Sequence, residues 1–261
     1  MMEPFMKLAV LSDIHGNLQA LNAVFADLES VNADKTWVLG DLAAHGPHPA
    51  ACATAIRERH AADKDNFQVI GGNTDRYLVT NARMAKKKAE DEATYQRYAQ
   101  QIPVENAIFS WGTLKLGWEN YAFLSKILGH ELSHNVDDYG MVMGYHAIPG
   151  DDEYNITAET PAEEALDSVL DRPLRLGIYG HIHVQLERDL GSVKLVNPGS
   201  VGLSFDAPGK AQYAVLTFED GTVRVDQRQI PYDVDAAIAD FDETGHPHPD
   251  GIVRLYREGR A

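Results

Sequence analysis

Five short apolar runs in this chain each end on a polar cluster of Asp, His, Asn and Gly. Lys7 to Ser12 closes at Asp13-Ile14-His15. Lys35 to Leu39 closes at Gly40-Asp41, and Phe67 to Ile70 at Gly71-Gly72-Asn73. Gly140 to His146 closes at Tyr145-His146, and Leu174 to Tyr179 at Gly180-His181-Ile182-His183. Apolar runs of this length read as buried strands. Asn17 to Ser30 carries Leu18, Leu21, Val24, Phe25 and Leu28 at helical spacing, with Asn17 as the N-cap; Pro49 to His60 also reads as helix. Strand and helix alternate, which predicts an α/β domain whose early strands run parallel. In open α/β sheets, ligands gather beyond the carboxyl ends of the strands. The five clusters, far apart in sequence, can therefore converge.

Asp75 to about Leu128 changes character: rich in Ala, Lys, Glu and Gln, then in Trp and Leu, without β-branched runs. It reads as a helical insertion or cap (75–128) within one domain spanning 1–261, with Pro103 dividing it. Lys86 to Lys88 is the one basic run and reads as a solvated helix face. Strands return at Glu131 to Val136 and Gly140 to His146. Ala162 to Leu170 reads as helix. Gln185 to Asp189 and Val193 to Val196 flank a Gly191-Ser192 turn, and Tyr213 to Phe218 and Thr222 to Ile230 flank Asp220-Gly221, a hairpin signal. Val234 to Phe241 is a late helix, and Thr244 to Asp250 reads as loop.

Composition narrows the partners. A net charge of −16 argues against a protein that coats a long nucleic acid through a basic surface. Bound cations would still supply local positive charge for a small anionic substrate. No run of about 18 apolar residues exists, so no membrane span is expected. Met1 to Lys7 lacks the pattern of a secretory leader. One cysteine, Cys52, excludes an internal disulfide; it reads as packing, and the expected compartment is cytoplasmic. A homo-oligomer stays open.

Taken singly, each cluster has a plain structural reading. Asp13 can cap a helix, Gly40-Asp41 can be a loop, Asn73 a turn residue, and His146 a half-buried histidine. Two imidazoles two residues apart in Gly-His-x-His are rarely needed for packing. Together, two carboxylates, one amide and four imidazoles make a mixed nitrogen and oxygen site for borderline divalent ions. Seven ligands exceed what one open catalytic ion needs.

The set SDIHGN, GDLAAHG, GGNTD, GYHAIP and GHIH, with NPGSVG at Asn197 to Gly202, resembles the calcineurin-like metallophosphoesterases, especially their smaller bacterial and archaeal phosphodiesterases and phosphatases. The resemblance implies two packed mixed β-sheets flanked by helices, a four-layer sandwich with metals at the strand ends. It implies one metal held by Asp13, His15, Asp41 and His183, and a second held by Asp41, Asn73, His146 and His181, with Asp41 bridging. The ions implied are two divalent metals among Mn, Fe, Zn, Ni and Co. The activity implied is hydrolysis of a small phosphate ester by a metal-bridging hydroxide, with Asp41 and Asn73 in the catalytic centre.

Two positions depart from the family pattern. Many members carry His after the motif asparagine as proton donor; here it is Thr74, a poor donor near neutral pH. This leans the reading toward diesters over monoesters, with a phosphomonoesterase or a protein phosphatase as alternatives. Four residues after Asp41, where the protein phosphatases carry a phosphate-gripping arginine, stands His45. It reads as a substrate contact or proton donor, or as filler; His48 is the second choice. Arg76 is a further substrate candidate beside the alternative of a surface ion pair. Asp75 reads as a helix cap, and Asn197-Pro198-Gly199 as a turn setting Ser200 near the metals. His60, His130, His134, His246 and His248 read as surface or structural. Trp111, Trp118, Tyr121 and Phe123 read as core of the cap before interface. In another class, the fold would serve as a metal-binding scaffold for a protein partner; a nuclease is the weaker third reading.

Overall fold

The computed structural model describes residues 5–260; residues 1–4, part of the segment read for a leader, and 261 lie outside them. The first three apolar runs form β1 (Met6–Leu11), β2 (Lys35–Leu39) and β3 (Phe67–Ile70), which pair in parallel. On the other side of β1 lies β9 (Lys210–Glu219), antiparallel, which turns at Asp220-Gly221 into β10 (Thr222–Pro231). The first sheet thus runs β10-β9-β1-β2-β3. The second holds β4 (Leu132–Val136), β5 (Gly140–Tyr145), β6 (Leu176–Tyr179), β7 (Gln185–Asp189) and β8 (Lys194–Pro198), in the order β4-β5-β6-β8-β7. Its inner strands β5, β6 and β8 are parallel and its edges antiparallel. Both sheets are mixed, as expected.

Side-chain alternation assembles the layers. Leu8 and Val10, Trp37 and Leu39, and Ala214, Leu216 and Phe218 leave the first sheet on one face. They meet Val142, Leu176, Ile178 and Val196 of the second. Leu11, Val38, Val69, Tyr213 and Val215 leave on the opposite face, toward the helices. There lie α1 (Leu18–Val31), capped by the Asn17 side chain, and α2 (Pro49–Ala62), with Cys52 fully buried in it. Beside them pack α3 (Asn73–Thr80), α4 (Glu92–Leu116) and α5 (Trp118–Ile127), which place Tyr77, Phe109, Leu116 and Leu124 in the same core. The outer face of the second sheet is covered more thinly, by Ile156 and by Ala165 of α6 (Ala162–Asp167) against Tyr145 and Tyr179. The result is four layers.

Three sequence expectations are corrected, and one element is added. Pro103 does not divide the helical region: α4 runs through it. Pro103 is exposed, so water can serve the carbonyl its missing N–H leaves unpaired, and Phe109 and Leu116 anchor the helix beyond it. Gly117, with φ 72°, ends α4 instead. Lys86 to Lys88 are exposed but lie in a stretch without helix. Trp118 is 77% exposed, stacked on Tyr121, and not core. Beyond α7 (Val234–Thr244), the chain forms α8 (Asp250–Glu258), which sequence reading passed over. Ile252 and Tyr256 bury against Phe241 and Leu203 in a separate cluster.

Candidate metal centre

The loops leaving β1 and β2 are laced backbone to backbone. Asp13 N–H donates to Gly40 O at 3.0 Å, His15 N–H to Asp41 O at 2.8 Å, and Gly16 N–H to Leu42 O at 3.0 Å. Contacts this close need residues without side chains. A Cβ on Gly46 would stand 2.2 Å from His15 O, and one on Gly72 would stand 2.3 Å from Asp41 Oδ1. The lacing has a backbone cost. Asp13, His15, Asp41, His45, His181 and His183 all hold positive φ, between 48° and 77°. Such conformations gather where surrounding structure fixes a functional geometry.

The expected ligands meet at these strand ends. Asp13, His15, Asp41 and His183 are all buried, and each offers a ligand atom within 4.8 Å of the others. His15 Nε2 is 2.9 Å from His183 Nε2, 3.7 Å from Asp13 Oδ1 and 3.6 Å from Asp41 Oδ2. Asn73, His146 and His181 adjoin them: Asn73 Oδ1 is 3.0 Å from His146 Nε2 and 3.1 Å from His181 Nδ1. His146 Nε2 is 3.5 Å from Asp41 Oδ2. Asp41 Oδ2 therefore faces both groups, while its Oδ1 accepts the Thr74 N–H at 2.9 Å.

Proton counting tests whether the groups fit a cation. His146 Nδ1 lies 2.6 Å from Leu39 O and His183 Nδ1 lies 2.8 Å from Leu203 O. A carbonyl only accepts, so these Nδ1 atoms donate and the neutral rings turn lone pairs inward at Nε2. His181 Nε2 faces Glu153 O at 3.2 Å, which turns its Nδ1 lone pair inward too. Asn73 Oδ1 is then flanked by two nitrogen lone pairs, with no donor among the three. In the other group Asp13 Oδ1 has no hydrogen-bond partner although buried. Acceptors that converge without donors repel one another unless a cation stands between them. The mixed donor set suits a divalent ion.

The carboxylates and imidazoles also shift one another. Burial opposes charge on Asp13, yet His183 and His15 hold its carboxyl well below the usual range. Burial likewise opposes charge on Asp41, but His146 and His15 outweigh it and lower the carboxyl. At His146, burial opposes protonation but Asp41 and Asp13 raise its pKa. His181 goes the other way, to about 4, through burial and the repulsion of His146.

The surrounding residues hold this set in register. Asp75 accepts N–H bonds from Leu42 at 3.0 Å and from Gly72 at 3.1 Å, joining the β2 and β3 loops. It does more than cap a helix. Burial and the neighbouring Asp41 push its carboxyl up to about 7 against those two bonds. Ser200 Oγ donates to Asp13 O at 2.7 Å, and Asn197 Nδ2 donates to Gly180 O at 2.6 Å. The NPGS turn thus braces both ligand loops. Phe205, a residue sequence reading did not single out, lays its ring on His183 at a centroid distance of 4.5 Å. Only its aromatic character was visible beforehand.

A cleft of about 1030 Å³ opens over the cluster, lined by His15, Asp41, His45, Asn73, Thr74, His181 and His183. His45 stands between His15 and Phe109, its ring centroid 5.1 and 5.3 Å from theirs. Burial, followed by the repulsion of His15, drives its pKa down to about 3, so its ring is neutral at pH 7. Arg76 is not part of this cleft: two bonds of 2.7 and 2.8 Å tie it to Asp152, and one of 2.6 Å to Glu153. The ion-pair alternative describes its position, and the pair anchors the segment whose Glu153 carbonyl meets His181. His48 pairs with Asp240 at 2.9 Å, outside the cleft lining. His246 is buried between Trp111 and Phe241, a structural place. His60 binds Phe67 O through Nδ1, and His130 binds Lys126 O.

Two five-stranded sheets thus carry, at their strand-end loops, a buried Asp/His group that could hold a metal ion. The calcineurin-like phosphoesterase superfamily domain matches residues 6–221, and the chain belongs to that superfamily. It is 26% identical over 251 residues to an uncharacterized protein of Methanocaldococcus jannaschii, covering 88% of this chain and 89% of that one. A metallophosphoesterase from Sphaerobacter thermophilus matches in fold with a TM-score of 0.70 and 23% identity, over 96% of this chain and 98% of its own. A hypothetical protein from Pyrococcus horikoshii matches with a TM-score of 0.78 and 21% identity, over 98% of this chain and 100% of its own. No helix among the described residues is long and apolar enough to cross a membrane.

Proposed function

We propose that this protein hydrolyses small phosphate esters, phosphodiesters foremost, with two divalent ions held by Asp13, His15, Asp41 and His183 and by Asp41, Asn73, His146 and His181. The observation that carries the reading is the pair of adjoining buried Asp/His/Asn groups that both face Asp41 Oδ2. Such ions, when bound, supply an acidified water as nucleophile and positive charge for the phosphoryl oxygens. Mn, Fe, Zn, Ni and Co all suit the donor set.

The protein's own residues would do the rest. Thr74 N–H fixes Asp41 so that its second oxygen serves both groups. Leu39 O and Leu203 O fix the tautomers of His146 and His183. Asp13 Oδ2 accepts the His181 N–H at 2.9 Å, which ties the β1 loop to the β6 loop. Neutral His45 faces the cleft and offers a hydrogen bond to a phosphoryl or leaving-group oxygen. It does not serve as a cationic acid: burial and nearby positive charge lower its pKa, and bound cations would lower it further. Thr74 supplies no acid in its place. Leaving groups that need no proton, such as those of activated diesters, therefore suit the site better than alkyl monoesters. A cleft of this volume holds a drug-sized molecule. Met84, Gln101 and Glu105 line it, and we read the helices of 75–128 as a cap that limits substrate size.

Metal-stripped protein, resupplied with each ion in turn, should hydrolyse bis(4-nitrophenyl) phosphate faster than 4-nitrophenyl phosphate. Asp41→Asn should lose at least about a thousandfold in turnover. His45→Asn should lose about ten- to a hundredfold, with an unchanged pH profile between 5 and 9. The sign follows from its role. A cationic acid loses activity as pH rises through its pKa, and a group at about 3 has already lost its proton across that range. An alkaline limb that disappears in His45→Asn would overturn the neutral role. No turnover with any ion, although two bind per chain, would leave the scaffold reading.

A further inference from the structure

The cleft has a wall that the superfamily match does not reach. The matched residues stop at 221, yet Ile252, Arg254, Leu255, Glu258 and Arg260 of α8 and its exit line the same cleft as the metal ligands. We propose that Arg254 and Arg260 form a second phosphate-binding subsite, so that the preferred substrate carries a phosphate group beyond the one hydrolysed. This rests on the phosphoesterase reading above.

Three observations carry it. The first is charge. The chain holds 39 acidic and 23 basic Lys and Arg residues, and five arginines, Arg57, Arg76, Arg172, Arg228 and Arg257, stand within 4.0 Å of a carboxylate. Among the described residues, Arg59, Arg83, Arg97, Arg175, Arg188, Arg224, Arg254 and Arg260 meet none, and of these only Arg254 and Arg260 line the cleft. In so acidic a protein, two unpaired guanidinium groups on one wall of a cleft leave their donors for a ligand.

The second is placement. Arg260 N–H donates to Phe205 O at 3.0 Å, and the Arg260 guanidinium lies 5.2 Å from the Phe205 ring centroid. That ring lies 4.5 Å from the ring of His183, a proposed metal ligand. Phe205 is thus the single spacer between the metal group and the arginine. A substrate with one phosphate at the metals could direct a second toward Arg260 along this ring. Planar guanidinium groups match phosphate oxygens in pairs.

The third is that the approach is built. The chain leaves α8 at Gly259 with φ +69°, and a Cβ there would stand 2.4 Å from Phe205 O. Only glycine brings Arg260 onto Phe205 in this way. Ile252 and Tyr256 bury the other face of α8, which orients Arg254. The opposing charges are few. Glu105, across the cleft, is held by Lys86 at 3.0 Å, and Glu258 is the one other carboxylate lining the α8 wall.

The test is calorimetric binding of adenosine 3′,5′-bisphosphate and adenosine 5′-monophosphate to the Mn-loaded full-length protein. The wild type should bind the bisphosphate at least about tenfold tighter. In Arg254→Ala/Arg260→Ala that ratio should fall to near one, while Arg254→Lys/Arg260→Lys should recover part of it. Arg97→Ala, which removes an exposed arginine outside the cleft lining, should keep the wild-type ratio and folding transition. Equal affinity for the two ligands in the wild type would overturn the proposal, as would a ratio unchanged in the double alanine variant. Should the alanine variant fail to fold, the wild-type ratio together with its change in the lysine variant still decides. Hydrolysis of bis(4-nitrophenyl) phosphate by the same wild-type sample separates the two readings. Turnover without a bisphosphate preference sinks the subsite alone. A preference without turnover with any ion sinks the esterase reading alone.

Discussion

Gly72 has an ordinary backbone, φ −106°, and is needed for space. A methyl group there would meet Asp41 Oδ1 at 2.3 Å, His146 Cε1 at 2.6 Å and His146 Nδ1 at 2.7 Å. Either the shared carboxylate or the His146 ring would have to move, and neither can without losing its hydrogen bond to Thr74 N–H or to Leu39 O. Gly72→Ala should therefore cost about 1–3 kcal/mol of stability and more than about a hundredfold in turnover. A urea melt and a metal titration on the same protein check both numbers. A variant that binds metal as the wild type does would mean the loops yield more readily than their lacing suggests. His45 lies in the loop after β2, and its positive φ could not be read from sequence, where it was a candidate substrate contact or proton donor.

Among the elements, α4 breaks the sequence expectation most clearly. A proline in a helix interior removes one hydrogen bond and crowds the preceding turn, at a cost near 3 kcal/mol. The helix continues because its later half is buried, with Phe109 and Leu116 in the main core, and tertiary packing outweighs local propensity. Pro103→Ala should then raise the thermal midpoint, by about 1–3 kcal/mol of stability, in a calorimetric scan. A lowered midpoint would mean that Pro103 itself helps to seat Phe109. The other misread element is α8. Ile252, Leu255 and Tyr256 have helical spacing, but a run of nine residues beside a Pro- and His-rich stretch carries little signal by itself. Its helix is stabilised by Phe241 and Leu203, residues that no local window contains.

The molecule as a whole keeps its acceptor groups at the junction of two sheets. β1 to β3 supply Asp13, His15, Asp41 and Asn73, while β5 and β6 supply His146, His181 and His183. Ions bound there would tie the sheets together and bind the folded state alone. Stripping them should lower the melting temperature by several degrees, since one site at a hundred times its Kd contributes about 2.7 kcal/mol. Differential scanning calorimetry with and without a chelator measures this. An unchanged midpoint would argue that the converging acceptors are not occupied by metal in solution.

Strand positions and the polar residues that close them were legible beforehand because both are local. Apolar runs of four to six residues and the Asp, His and Asn that close them are written in consecutive positions, and these seven side chains lie in two adjoining groups. The fate of the cationic and aromatic residues was not local. Arg76, adjacent in sequence to the site, turns away to Asp152 and Glu153. Arg254 and Arg260, remote in sequence, enter the cleft. Charge and aromatic contacts are made with whatever the folded chain brings within a few ångströms, and that neighbourhood exists only once the sheets have packed.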